Sequence, residues 1–330
     1  MPHRPKPERV EALPRKTREA LRAAQLYYLQ DLTMEAIAKE LDTSRSSVSR
    51  LLSHARDTGL VEISIHSPLD LPSRIEGTIL DRYGVSAYVV PVPDHASDVD
   101  RLERVALSAA RILGRFVDSN QTIGVAWGST IGAVSRHLVP KSTHNTEIVQ
   151  LNGAGNVYST GVVYASELLK RFGDAYGAYA QQFPVPAFFD DPATKAAFWR
   201  ERSTRRILDL QARMDLAVFG VGSALAEVPS QVYQGGYLER ADYDSLAREG
   251  VVGDVATVFY RADGSTDGID VNERATGPDF AVLRRAPRRV CVVSGRAKLA
   301  SLRGALAAEL VTDLIVDEGT ARSLVDAVAP

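Results

Sequence analysis

A series of short apolar segments, each ending in glycine or small polar residues, constrains this chain more than any other feature. SAYVVPV, TIGVAWG, TEIVQLNG, DLAVFGVGS, DVATVFYR, RRVCVVSG and DLIVDEG have the length and β-branched content of buried strands. Between them lie DVDRLERVALSAARILGRFV, KAAFWRERSTRRILDLQ and KLASLRGALAAEL, whose apolar residues recur at helical spacing. Short apolar strands alternating with amphipathic helices specify a largely parallel sheet covered on both faces. The fold class from residue 67 to residue 330 is therefore α/β.

The first part of the chain has a different grammar. Residues 1–14 are polar and proline-rich, a composition expected to be disordered. From Lys16 to Gln30 the pattern is helical, with Leu21, Ala24, Gln25 and Tyr28 spaced as one face and Leu26 and Leu29 beside it. Thr33 is placed to cap MEAIAKEL, whose Ile37 and Leu41 share a face, and Ser44 to cap RSSVSRLLSHARDTG. Gly59 stands where a helix of that length should stop. VEISIHS then alternates like a short strand, and SPLDLPS reads as a linker. The expected organisation is a tail over 1–14, a (winged) helix-turn-helix domain over 15–66 and an effector domain over 67–330.

Charge agrees with that division. The net charge is −2, yet residues 1–60 hold 11 Lys+Arg against 8 Asp+Glu, and the remainder 28 against 33. A helix-turn-helix presents the first turns of its second helix to base edges. Ser44, Arg45, Ser46, Ser47, Ser49 and Arg50 occupy those turns, where Arg pairs with guanine and Ser with bases or phosphates. Arg56 and His54 lie further along, in reach of phosphates, as do the basic residues of the tail. The bland alternative is a small helical bundle with a solvated basic face.

In the α/β part, ligands are expected outside the carboxyl ends of the strands. At GVAWGSTIGAV, Gly128 allows close approach to the backbone, Ser129 and Thr130 add hydroxyls, and a helix begins. Alone, this is equally an ordinary strand-to-helix turn. LNGAGN brings Asn152 and Gly153, and FGVGSA brings Gly222 and Ser223, to comparable strand ends. Lys298, following Gly295, is suited to neutralise a phosphate, whereas Arg296 reads as a solvated charge. Asp254, placed at the start of a strand, suits sugar hydroxyls or a plain turn; Tyr237 and Gln234 are weaker candidates. No Walker loop, dinucleotide fingerprint or Cys/His ligand spacing is present, so no cofactor or metal is expected. A single cysteine, Cys291, lies in an apolar strand and reads as core. One cysteine fits a reducing compartment, and neither a secretory signal nor a membrane-length apolar run occurs. A cytoplasmic location without membrane contact is expected.

Taken together, AIAKELDTSRSSVSRLLSHARDTGLVEI, GVAWGSTI, LNGAGN, DLAVFGVGS, GGYLERADYDSLAREGVVGDV and SGRAKLASLRGAL…LIVDEGTARSLV make the chain resemble SorC-type (SorC/DeoR-like) sugar-binding transcriptional regulators of bacteria. The resemblance implies an effector domain similar to sugar-phosphate isomerases and a phosphorylated sugar as effector. It also implies phosphate-holding roles for Gly128, Ser129, Thr130 and Lys298, and a sugar contact for Asp254. It departs from the family pattern at Ser129 and in VATVFYRADG. The implied function is a regulator, by default a repressor, that binds double-stranded operator DNA as a homodimer or homotetramer. The rival reading is an isomerase, with Asp254, Glu239 and Asp317 as candidate acids and bases.

Overall fold

The computed structural model describes residues 14–61, 71–224 and 230–326. Two compact units are distinguished, one within residues 1–69 and one within residues 70–330.

The smaller unit contains α1 (Arg15–Tyr28), α2 (Met34–Glu40) and α3 (Arg45–Asp57). Both expected caps form: Thr33 Oγ1 accepts the Ala36 amide at 3.2 Å, and Ser44 Oγ the Ser47 amide at 3.1 Å. Gly59, at φ 73°, ends α3 with its amide on Arg56 O. Ile37, Val48 and Leu52 are buried together with Ala20, Ala23, Ala24 and Leu26. The face of α1 therefore differs from the expected one. Gln25 is exposed and Leu29 is 79% exposed, while three alanines face inward. Small side chains let α1 approach α3 closely, which a search for large apolar residues overlooks. The expected strand VEISIHS lies, after Val61, outside the described residues, as do residues 1–13 of the tail and the linker as far as residue 70. Residues 71–73 of that linker belong to a helix instead, α4 (Leu71–Tyr83). Pro72 falls in its first turn, where a missing N–H breaks no helical bond.

In the larger unit β1 (Ser86–Val90), α5 (Asp98–Phe116), β2 (Thr122–Val125), α6 (Ser129–Ser135) and β3 (Glu147–Gln150) come first. Next are α7 (Val162–Tyr176), β4 (Tyr179–Gln181), α8 (Pro192–Phe198), α9 (Arg202–Ala212), β5 (Leu216–Gly220) and α10 (Arg240–Arg248). β6 (Val251–Val255), β7 (Val258–Arg261), α11 (Asp270–Arg274), α12 (Phe280–Arg285), β8 (Arg288–Val293), α13 (Leu299–Ala307), β9 (Asp313–Asp317) and α14 (Glu318–Asp326) complete it. Short 3₁₀ turns span Gln231–Tyr233 and Arg296–Lys298.

Seven strands form one parallel sheet in the order β1-β9-β8-β5-β2-β3-β4. Alternation along each strand feeds two apolar layers. Leu216, Val218, Val290 and Val292 face one side with α5, α6 and α7. Ala217, Phe219, Cys291 and Val293 face the other with α4, α12, α13 and α14. Cys291 is fully buried, and burial pushes its thiol up to about 12, which makes it an inert core residue. Two expectations need correction. DVATVFYR is not one strand, because β6 and β7 form an antiparallel hairpin outside the main sheet. Ala256 and Thr257 make its two-residue turn at φ 48° and 69°, a conformation composition does not advertise without Asn or Gly. KAAFWRERSTRRILDLQ is two helices, α8 and α9, and Trp199 between them joins Ile207 and Leu210 of α9 in one apolar cluster with Phe183 and Phe189.

Chain order reverses between β2 and β5. From β2 the chain runs outward to β3 and β4, and from β5 outward the other way to β8 and β9. That is a topological switch point, where a crevice opens beyond the carboxyl ends of the strands.

Candidate functional site

A cavity occupies that crevice. It is lined by Gly128, Ser129 and Thr130 after β2, Asn152 after β3, Gly222 after β5, Gln231, Asp254 and Thr257, and Lys298. Most of the residues singled out from strand ends thus converge on one site. Gly128 adopts φ 150° with open space where a side chain would point, so only glycine serves there and its backbone faces the cavity. Lys298 is 4% exposed and donates to Thr130 Oγ1 at 3.1 Å. Burial lowers its ammonium below the usual lysine range, against the pull of Cys291, Asp254 and Asp98.

Asp254 is the second charged group. It lies in β6 one pair before the turn, opposite Phe259, rather than at the start of a strand. Burial raises its carboxyl to about 6, opposed by the Thr257 amide, the Lys298 charge and the Tyr233 hydroxyl. Oδ2 accepts the Thr257 amide at 3.2 Å, and Oδ1 is buried without a hydrogen-bond partner among the described residues. The Gly222 amide donates to Asp254 O at 2.8 Å, and a Cβ on Gly222 would lie 1.7 Å from Oδ1. Glycine there is what lets the hairpin bring its carboxylate over the end of β5.

The remaining candidates surround the cavity without lining it. Gly153 donates to Thr276 Oγ1 at 3.0 Å. The Ser223 amide donates to Ser230 Oγ at 2.9 Å. Tyr237 stacks on Trp127 with ring centroids 5.1 Å apart and donates to Ala154 O. Trp127 in turn donates Nε1 to Gly153 O at 2.8 Å, fixing the wall between β2 and β3. Gln234 follows the 3₁₀ turn, and its amide donates to Gln231 O at 3.2 Å. Arg296 is 60% exposed and pairs with Asp94. Gln231 and Thr257 were missed from sequence. They sit on turns without periodicity, and the only signal was the glycine-flanked stretch SQVYQGG.

On the smaller unit, Ser44, Arg45, Ser46, Ser49, Arg50 and Arg56 are exposed and Ser47 is half-buried. Arg45 pairs with Glu35 at 2.8 Å, both largely exposed, an interaction of about 0–1 kcal/mol that a phosphate or base displaces readily. Arg50 donates to Ser46 O at 3.3 Å, whereas Arg56 donates to Tyr28 Oη and Ser53 Oγ, each at 3.1 Å. Arg45 and Arg50 therefore point outward, and Arg56 braces α3 on α1.

A helix-turn-helix unit joined to a parallel α/β unit with a polar pocket at its switch point is the make-up of a transcription regulator that reads a small molecule. The "Sigma-70, region 4" model matches residues 7–58, and the sugar-binding model described as "Putative sugar-binding domain" matches residues 67–326. The chain belongs to the SorC-type family of sugar-binding transcriptional regulators. It is 31% identical over 310 residues to the deoxyribonucleoside regulator of Bacillus subtilis (strain 168), covering 93% of this chain and 97% of that protein. It is 24% identical to the sorbitol operon regulator of Klebsiella pneumoniae, over 92% of this chain and 96% of that one. A crystal structure of a domain of a "possible sugar-binding transcriptional regulator" from Arthrobacter aurescens TC1 matches at TM-score 0.74 and 57% identity, over 79% of this chain and all of that one. Full-length SorC from Klebsiella pneumoniae shares the fold at TM-score 0.70 and 24% identity, over 94% and 99% of the two chains.

These relatives are regulators, not enzymes, and the isomerase reading is set aside. The residues drafted for it have other work. Asp317 accepts from Arg101, Thr320 and the Gly295 amide, and Glu239 caps α10 in a reciprocal pair with Asp242. Among the described residues, no cluster of ligands suited to a metal ion occurs, and no helix is long and apolar enough to cross a membrane.

Proposed function

We propose that this chain is a cytoplasmic repressor whose operator affinity is controlled by a phosphorylated sugar. The observation that carries this reading is the pairing, in one cavity, of a buried ammonium beside a helix start with a buried carboxylate. Lys298, with Thr130 and the first-turn amides of α6, suits a phosphate, which both neutralises the ammonium and accepts hydrogen bonds. Asp254 and Asn152 suit hydroxyls. Gly222, Gly153, Ser223 and Tyr237 hold the walls on which these groups stand. In the smaller unit, Ser44 to Ser47, Ser49, Arg45 and Arg50 are assigned to the operator and Arg56 to phosphates. The corresponding division is a tail over 1–14, a DNA-binding domain over 15–66 and an effector domain over 67–330.

A thermal-shift screen with pentose and hexose phosphates tests the pocket, because a ligand that binds only the native state raises its apparent stability. At a concentration a hundredfold above Kd the gain is about 2.7 kcal/mol, a shift of a few degrees. Lys298→Ala is expected to abolish the shift for phosphorylated sugars; an undiminished shift in that variant defeats the phosphate assignment. For the DNA face, Arg45→Ala with Arg50→Ala is expected to remove sequence-specific operator binding in a gel-shift assay while leaving the melting temperature within about a degree. Equal operator affinity in the double variant rules the assignment out.

A further inference from the structure

Three side chains that line the cavity each carry a buried oxygen acceptor with no hydrogen-bond partner among the described residues: Asn152 Oδ1, Gln231 Oε1 and Asp254 Oδ1. Buried polar atoms are nearly always paired, so three in one crevice mark a surface that a ligand completes. We propose that these three side chains recognise hydroxyls of the effector, and that Gln231 determines which sugars are accepted. The inference rests on the pocket being the effector site.

The chemistry of the three groups selects the ligand. An ionised carboxylate only accepts, so the group facing Asp254 is a donor and cannot be a phosphate oxygen. An amide offers an acceptor and two donors, and a hydroxyl pairs with either. Sugar hydroxyls satisfy all three positions at once. A phosphate on the same ligand is repelled from Asp254 and directed to Lys298 and Thr130, which gives the ligand one orientation.

Gln231 is the member free to discriminate. Its backbone carbonyl accepts the Gly235 amide at 2.8 Å, and the Asn156 side chain donates to Gly235 O at 2.8 Å, so main-chain bonds close the turn. Its side-chain oxygen, by contrast, has no hydrogen-bond partner among the described residues. Replacing the side chain removes a recognition atom without removing a contact that holds the fold. A site that pairs with a hydroxyl discriminates strongly against an analogue lacking it, since its own polar groups are then stranded.

The test is calorimetric titration of the full chain with ribose 5-phosphate, glucose 6-phosphate, their 2-deoxy forms, sorbitol 6-phosphate and inorganic phosphate. Gln231→Leu and Gln231→Met are compared with the unaltered protein. The expected result is a loss of about tenfold or more for the tightest sugar phosphate, a changed order of affinity across the panel, and unchanged binding of inorganic phosphate. A uniform loss for every ligand, inorganic phosphate included, or no loss in either variant, overturns the role of Gln231. If the unaltered protein binds none of the sugar phosphates, the effector reading itself falls and the recognition scheme with it.

Discussion

Among the described residues Asp254 pairs only one of its two carboxylate oxygens, and its burial has a stability consequence of definite sign. Lys298, Tyr233, Tyr260 and the Thr257 amide face it, yet burial dominates and raises its carboxyl from 3.8 to about 6. Below 3.8 the folded and unfolded chains are both protonated there, and burial carries no penalty. As pH rises from 3.8 to about 6, the unfolded carboxyl ionises first, so stability falls; above that window the loss is complete. Asp254→Asn, which mimics the neutral form, is therefore expected to be more stable than the natural protein at pH 7.5, by on the order of 2–3 kcal/mol, and no more stable at pH 3.5. Denaturant titrations at the two pH values check this, and a variant that is less stable at pH 7.5 contradicts it. The same variant should respond more weakly to sugar phosphates. That Gly128, Thr130 and Lys298 line one cavity was legible in the sequence, because apolar strands ending in glycine announce where a parallel sheet opens; Asp254 was named for the same pocket, but its hairpin was not foreseen. Gln231 was not, since its place depends on a turn folding beside a hairpin that composition had merged into one strand.

Among the elements, α3 shows how much a single cap contributes. Ser44 Oγ holds the Ser47 amide and also lies 2.8–2.9 Å from the hydroxyls of Ser46 and Ser47. Ser44→Ala is expected to lower the stability of the smaller unit by about 1 kcal/mol, and Ser44→Gly by less. Circular dichroism melts of the two variants separate these outcomes, and equal melting for alanine and the natural serine would remove the cap from the account. Starts and stops of this kind were readable from Thr33, Ser44 and Gly59 because each carries its own chemistry. The inward face of α1 was not, because Ala20, Ala23 and Ala24 bury by fitting closely rather than by bulk. β4 escaped for a related reason. Its three residues form a sheet edge, and Tyr179 is 74% exposed, so no apolar run marks it.

For the whole molecule, the proposed control of transcription is linkage: the effector favours one arrangement of the subunits and so alters the pairing of two DNA-reading units with two half-sites. Val157, Tyr158 and Val163 on the larger unit are each at least 75% exposed, apolar side chains available for a subunit contact. Analytical ultracentrifugation is expected to find a dimer or tetramer both free and on operator DNA; a monomer under both conditions would end the linkage scheme. The hairpin turn at Ala256–Thr257 bears on how such a protein tolerates improvement. Two side-chain-bearing residues in the left-handed region carry roughly 1–2 kcal/mol each that an Asn-Gly turn would relieve. Both residues line the cavity, so a rewritten turn changes the wall beside Asp254. Selection for heat resistance alone would thus favour rewriting this turn, and would leave a sturdier protein with duller senses.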